Sequence, residues 1–157
     1  MSRLSAITAA LSLFAALAPL PAQELTDQFG ASVDVGAEPS SGRLVVVWSD
    51  RREAPDDIAA WLAAIGSSLP PGTGLLAVAD LKAVPFFVPR AGIIKGVADS
   101  VPTRPVLLDW KGELIKRLGF KKGGPLVLVL GPGGSVKVAA RGGPSPEGAA
   151  ALAAALR

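Results

Sequence analysis

Two short runs hold the side chains of this 157-residue chain best suited to gripping a ligand, Ser49-Asp-Arg-Arg-Glu53 and Lys121-Lys-Gly-Gly-Pro125. Arginine offers planar, bidentate donors to carboxylate and phosphate, and lysine offers a compact point charge, so the chemistry these runs suggest is anion capture. Asp50, Asp56, Asp57 and Asp80 supply oxygen ligands of the kind a hard cation takes. No D-x-D-x-D-G calcium-loop spacing accompanies them, and turn or helix-dipole roles account for the first three. Gly131-Pro-Gly-Gly-Ser-Val-Lys137 fits neither G-x-x-x-x-G-K-[ST] nor G-x-G-x-x-G, and it lies between two strand-like runs, so it reads as a hairpin turn. Trp48, Trp61 and Trp110 stand at strand ends or on apolar helical faces, where core packing is expected.

What the chain lacks excludes more. It contains no cysteine, no histidine and no tyrosine. Nucleophilic catalysis of the Ser-His-Asp or Cys-His kind cannot be built from it, nor can zinc, copper or haem sites ligated by histidine or cysteine. No metal or other cofactor is expected. The formal net charge is +3, or +2 once Arg3 is set aside with the leader described next, so charge gives no reason to expect a nucleic-acid partner.

Residues 1–22 read as a secretory signal peptide. Arg3 gives the positive start, Leu4 to Ala18 the apolar stretch, and Pro19-Leu-Pro-Ala22 the small-residue cleavage site. The apolar stretch is shorter than the roughly 20 residues of a spanning helix, so no stable membrane insertion is expected after cleavage. The chain is accordingly expected to be exported, to the periplasm or beyond, where disulfides are permitted. Residues 23–157 are expected to form one domain, long enough to bury a core without disulfide or metal staples.

Glycine and proline divide that domain into clear segments. Asp27 to Gly30 reads as a turn, Ala31 to Val35 as an edge strand, and Gly36 to Gly42 as a loop. Arg43 to Trp48 is a valine-rich run with the pattern of a strand buried on both faces. A helix is predicted from Pro55, with Asp56 and Asp57 in its first turn and Ile58, Trp61, Leu62 and Ile65 on one face. Leu75 to Ala79 and Pro105 to Asp109 read as strands, Pro89 to Ser100 and Trp110 to Leu118 as helical. Leu126 to Leu130 and Val136 to Ala140 flank the hairpin turn, and a last helix is capped by Ser145 and begun by Pro146. Strands alternating with helices, then a C-terminal hairpin and helix, predict an α/β fold: a central mixed sheet flanked by helices on both faces.

This order resembles the thioredoxin-like superfamily, in particular its exported peroxiredoxin and TlpA-type branch, over Leu25 to Leu156. Leu25-Thr-Asp-Gln-Phe-Gly-Ala-Ser-Val33 is similar to the branch's L-x-D-x-x-G-x-x-V entry. Val45-Val-Val-Trp48 is similar to its first core strand, and Gly123-Gly-Pro-Leu-Val-Leu-Val-Leu130 to its cis-proline strand. The departure lies at the site: alignment on Trp48 puts Arg52 and Pro55 where the family has two cysteines. Disulfide exchange and thiol peroxidase activity are therefore outside this chain's chemistry. Cysteine-less exported relatives such as the YtfJ-like group share that state.

The resemblance implies that the loop Ser49 to Ala54 lies beside Gly124-Pro125. Asp50, Arg51, Arg52, Lys121, Lys122, Gly124 and Pro125 would then form a binding site, its four cations converging on a carboxylate or phosphate. A cis bond before Pro125, as the family has, would add a surface for docking an extended peptide. The function so implied is a redox-inactive, non-catalytic module whose partner is an exported protein or peptide, or a small anion. The alternative is a thiol-independent enzyme using Asp, Lys or Arg at the same sheet edge. A strongly shifted lysine or aspartate in a closed cleft would favour the enzyme, and an open charged groove would favour binding.

Overall fold

The computed structural model describes residues 23–35, 42–66, 68–131 and 135–157. The expected leader over 1–22, most of the 36–42 loop and the centre of the 131–135 turn lie outside the described residues. In chain order the elements are β1 (Glu24–Asp27), β2 (Ser32–Asp34), β3 (Leu44–Ser49), α1 (Ala54–Ile65), β4 (Gly74–Asp80), α2 (Arg90–Ser100), β5 (Leu107–Asp109), α3 (Leu114–Arg117), β6 (Leu126–Leu130), β7 (Val136–Arg141) and α4 (Pro146–Ala155). The seven strands form one mixed sheet in the order β2-β1-β5-β4-β3-β6-β7. Strand β3 runs parallel to β4, and β4 to β5; the other neighbours are antiparallel.

The alternation of side chains along β3 explains the layers. Val45 and Val47 face one side with Ala77, Ala79, Val127 and Val129, where Ile58, Trp61 and Ile65 of α1, Val97 of α2 and Leu152 of α4 cover them. Leu44, Val46 and Trp48 face the other side with Val78, Leu107, Leu126 and Leu128, beneath Leu114 and Ile115 of α3. Every residue of β3 and of β6 is buried, which is why these strands read as unbroken apolar runs. Helix α4 begins as its sequence predicts, with Ser145 Oγ accepting from the Gly148 amide at 3.0 Å. The C-terminal hairpin also forms, with a register shift in β6 between Val127 and Leu128.

One strand is not legible in the sequence. β1 carries a single core residue, Leu25, too little for a periodicity signal, and it exists because β2 and β5 pair with its two edges. The turn after it is held by Asp27, whose Oδ1 accepts from the amides of Phe29 (2.8 Å) and Ala31 (3.0 Å). Beside it the buried Gln28 reaches across to the segment between α2 and β5. Its Nε2 donates to the carbonyls of Val101 (3.0 Å) and Arg104 (2.7 Å), and its Oε1 accepts from the Val106 amide (2.6 Å). Gln28→Leu takes these partners from the buried Val101 carbonyl and Val106 amide and from the part-buried Arg104 carbonyl, so a loss of about 2–4 kcal/mol is expected. It is read as a lower urea midpoint at unchanged m-value.

Candidate functional site

The parallel strands β3, β4 and β5 end on the same edge of the sheet, and the polar groups emerging there must each find a partner. At the end of β3, the fully buried Ser49 hydroxyl donates to Asp57 Oδ2 in the first turn of α1 (2.9 Å). The same Ser49 Oγ accepts from the Arg51 amide (3.3 Å). The Arg51 guanidinium faces Glu53 (3.5 Å) and Asp57 (3.7 Å). Asp50 turns the other way, and its Oδ1 accepts from the Gly124 amide at 3.1 Å. Gly124 holds φ at +81°, a conformation that favours glycine, and the next residue, the buried Pro125, gives its carbonyl to the Gly142 amide (2.9 Å).

A second group forms at the ends of β4 and β5. Asp80 and Asp109 are register partners, both buried, on the side of the sheet that faces α3. Asp109 organises the turn into α3 by accepting from the amides of Gly112 (2.8 Å) and Leu114 (3.0 Å). The Lys82 amide donates to Asp80 Oδ1 (3.1 Å), and Lys122 Nζ stands 3.0 Å from Oδ2. That last contact is an ion pair, and Oδ2 receives no aligned hydrogen bond among the described residues. Gly112, at φ +63°, makes room for the pair, since a Cβ there would lie 2.9 Å from Lys122 Nζ and 3.0 Å from each Asp80 oxygen. Lys82 completes the cluster. Its proton affinity is held below the usual lysine range, first by the approach of the Lys116 side chain, which can accept a hydrogen bond only when one of the two amines is neutral, then by the charges of Lys116 and Lys122 and by desolvation, with Asp80 opposing.

The residues singled out in the sequence thus divide between two settings. Asp50, Arg51, Gly124 and Pro125 meet where β3 leads into α1, and their polar groups are engaged with one another or with neighbouring carboxylates. Lys122 instead belongs to the Asp80 cluster, and Arg52 and Lys121 are exposed with no ion-pair partner among the described residues. Of the four aspartates, Asp57 meets Ser49 and Arg51, Asp56 lies 3.4 Å from Ser100 Oγ, and Asp80 meets Lys122. No group of three or more potential metal ligands occurs among the described residues. Lys82 and Lys116 were missed because nothing in their spacing signals that the β4 exit loop packs against α3. The tryptophans pack as expected: Trp48 and Trp61 are buried, and Trp110 lies against the core with the Arg90 guanidinium 4.6 Å above its ring.

No protein-family model and no curated protein matches this chain. Solved structures do. The thioredoxin domain of a thiol-disulfide oxidoreductase from Bacteroides vulgatus superimposes with a TM-score of 0.63 at 13% identity, covering 91% of this chain and 99% of that one. The fold is thioredoxin-like. A secreted Mycobacterium tuberculosis disulfide oxidoreductase homologous to E. coli DsbE gives a TM-score of 0.55 at 17% identity, covering 84% and 95% of the two chains. The pneumococcal exposed lipoprotein thioredoxin Etrx1 of Streptococcus pneumoniae gives 0.57 at 15%, covering 86% and 97%. Identities this low carry the fold alone. On this thioredoxin-like scaffold no thiol is present to exchange a disulfide. No helix among the described residues is long and apolar enough to cross a membrane.

One expectation is corrected. No peptide bond among the described residues is cis, so Gly124-Pro125 is trans. The positive φ of Gly124 and its tie to Asp50 turn the chain into β6 without the isomer that the resemblance implied.

Two substitutions test the lysine cluster. Gly112→Ala pushes a methyl group against a buried carboxylate at a positive φ, and is expected to cost about 1–3 kcal/mol in denaturant unfolding. Because Lys82 holds its proton less tightly folded than unfolded, the unfolded chain binds more protons between the lowered value and 10.5. Stability therefore rises as pH climbs through the lowered value. Lys82→Gln removes the repulsion, so it should raise the Tm at neutral pH and low salt. The gain should shrink towards the lysine range and on adding salt.

Proposed function

We propose that this chain is an exported, redox-inactive thioredoxin-fold protein that works as a non-catalytic binding module, taking an anionic group at Lys82, Lys116 and Lys122. The observation that carries this reading is the meeting of lysines from three segments at the ends of β4 and β5: Lys122 pairs with Asp80, and Lys82 lies close enough to Lys116 and Lys122 for them to lower its proton affinity. Asp80 is paired with Lys122 at 3.0 Å, and its charge only partly offsets the effect of Lys116 and Lys122 on Lys82. A phosphate or carboxylate seated between them would relieve the repulsion that lowers Lys82, which is the thermodynamic condition for binding.

Export rests on the leader read at residues 1–22 and accords with the secreted and exposed proteins among the fold neighbours. A cysteine-less member of the exported branch, of the YtfJ-like kind, is the identity that fits these features. The enzyme alternative is less well supported, because the lysine with the shifted proton affinity lies on open surface rather than in a closed cleft. Docking of a peptide strand at Pro125 is also less well supported. The Gly124 amide and the Pro125 carbonyl that flank the proline are already engaged, and the bond is trans.

Thermal unfolding in phosphate against chloride at matched ionic strength tests the reading. Phosphate is expected to raise the Tm of the wild type. The rise should vanish in Lys82→Gln/Lys116→Gln and survive in Arg51→Ala/Arg52→Ala. A rise absent from the wild type, or carried instead by the arginines, overturns the assignment.

A further inference from the structure

The loop from β4 to α2 carries the largest apolar exposure among the described residues: Phe86 is 100% and Phe87 74% exposed. Two consecutive turns explain it. The Leu81 carbonyl accepts from the Val84 amide and the Pro85 carbonyl from the Val88 amide, both at 3.0 Å. Phe86 and Phe87 are the two central residues of the second turn, so both rings project from its tip, packed edge to face with centroids 5.7 Å apart. Ordinary folding would bury them, and Pro85 and Pro89 on either side hold the segment outside regular structure.

The surroundings of the tip are cationic. Lys82 is central in the first turn, within about 14 Å of chain from Phe86; its amide is held by Asp80, whose other carboxylate oxygen pairs with Lys122, and Lys116 is near enough to act on its ammonium. Arg90 opens α2 on the far side of the loop, stacked on Trp110 just beyond β5. Two bare aromatic rings flanked by a lysine cluster suit a surface that is apolar within and negatively charged at its rim.

We propose that the Phe86-Phe87 tip and the cluster of Lys82, Lys116 and Lys122 form a docking surface for an anionic lipid bilayer. The rings enter the acyl boundary and the ammonium groups meet the headgroup phosphates. This rests on the anion-binding reading above and names its partner. An acidic protein is the competing occupant, and the test below tells it from the bilayer.

The absence of cysteine makes the test direct, since a single introduced thiol can be labelled alone. Phe86→Cys carrying an environment-sensitive fluorophore is mixed with vesicles of phosphatidylcholine, with or without phosphatidylglycerol. Lys137→Cys, on β7 at the opposite end of the sheet, is the control, so that binding through the leader is told apart from insertion of the loop. The expected result is a blue shift at position 86 with the anionic vesicles and none at 137. The apparent affinity should fall about tenfold in the added presence of Lys82→Gln/Lys116→Gln, and should weaken with salt. A silent label at 86, or one that responds equally to neutral vesicles, overturns the proposal. A label silent to vesicles but responsive to polyglutamate overturns it in favour of an acidic protein partner. If phosphate still stabilises the wild type through the lysines in any of these cases, the anion-binding reading stands without the bilayer.

Discussion

Every side chain of β3 is withdrawn from water, and a strand buried on both faces at the centre of a sheet dictates much of what surrounds it. Helices must cover both sides, so α1, α2 and α4 lie on one and α3 on the other. Its neighbours must complete its backbone hydrogen bonds, β4 in parallel and β6 in antiparallel register. The parallel arrangement brings the ends of β3, β4 and β5 to one edge, and polar groups arriving there from a dry interior have few ways to be satisfied.

That edge answers the demand in two ways. Where β3 leads into α1, the partners are local and complete: Ser49 with Asp57, Arg51 with Glu53 and Asp57, Asp50 with Gly124. These contacts close the region to which the resemblance assigned the family's two cysteines. At the ends of β4 and β5 two buried carboxylates are answered differently: Asp109 by the amides of Gly112 and Leu114, and Asp80 by Lys122 and the Lys82 amide, with Lys116 near the Lys82 side chain. In the first region Asp50 and Arg51 are engaged locally; in the second, on the reading proposed above, the lysines take the ligand.

The scaffold does not depend on the chemistry it carries in other proteins. The Bacteroides vulgatus, Mycobacterium tuberculosis and Streptococcus pneumoniae structures share this sheet and its helices at 13–17% identity, and their descriptions are those of thiol-disulfide oxidoreductases or thioredoxins. Here the same frame stands without a cysteine, because it is held by apolar packing on both faces of the sheet and by buried polar ties such as those of Gln28 and Asp109.

The sequence by itself determined the class of fold, the central strands and the loss of thiol chemistry. Valine-rich runs, the i, i+3, i+4 spacing from Ile58 to Ile65, and Pro55 and Ser145 at helix starts are local signals, and composition alone excludes a cysteine nucleophile. Strand β1, the trans bond before Pro125 and the gathering of Lys82, Lys116 and Lys122 were decided only by the tertiary structure. β1 has one core residue and needs the edges of β2 and β5; the isomer of the bond before Pro125 leaves no mark in the local sequence. The lysines come from three separate segments that become neighbours only when β4, β5 and α3 pack. Charges distant in sequence leave no periodic trace, so their convergence becomes visible only once packing has fixed the distances between them.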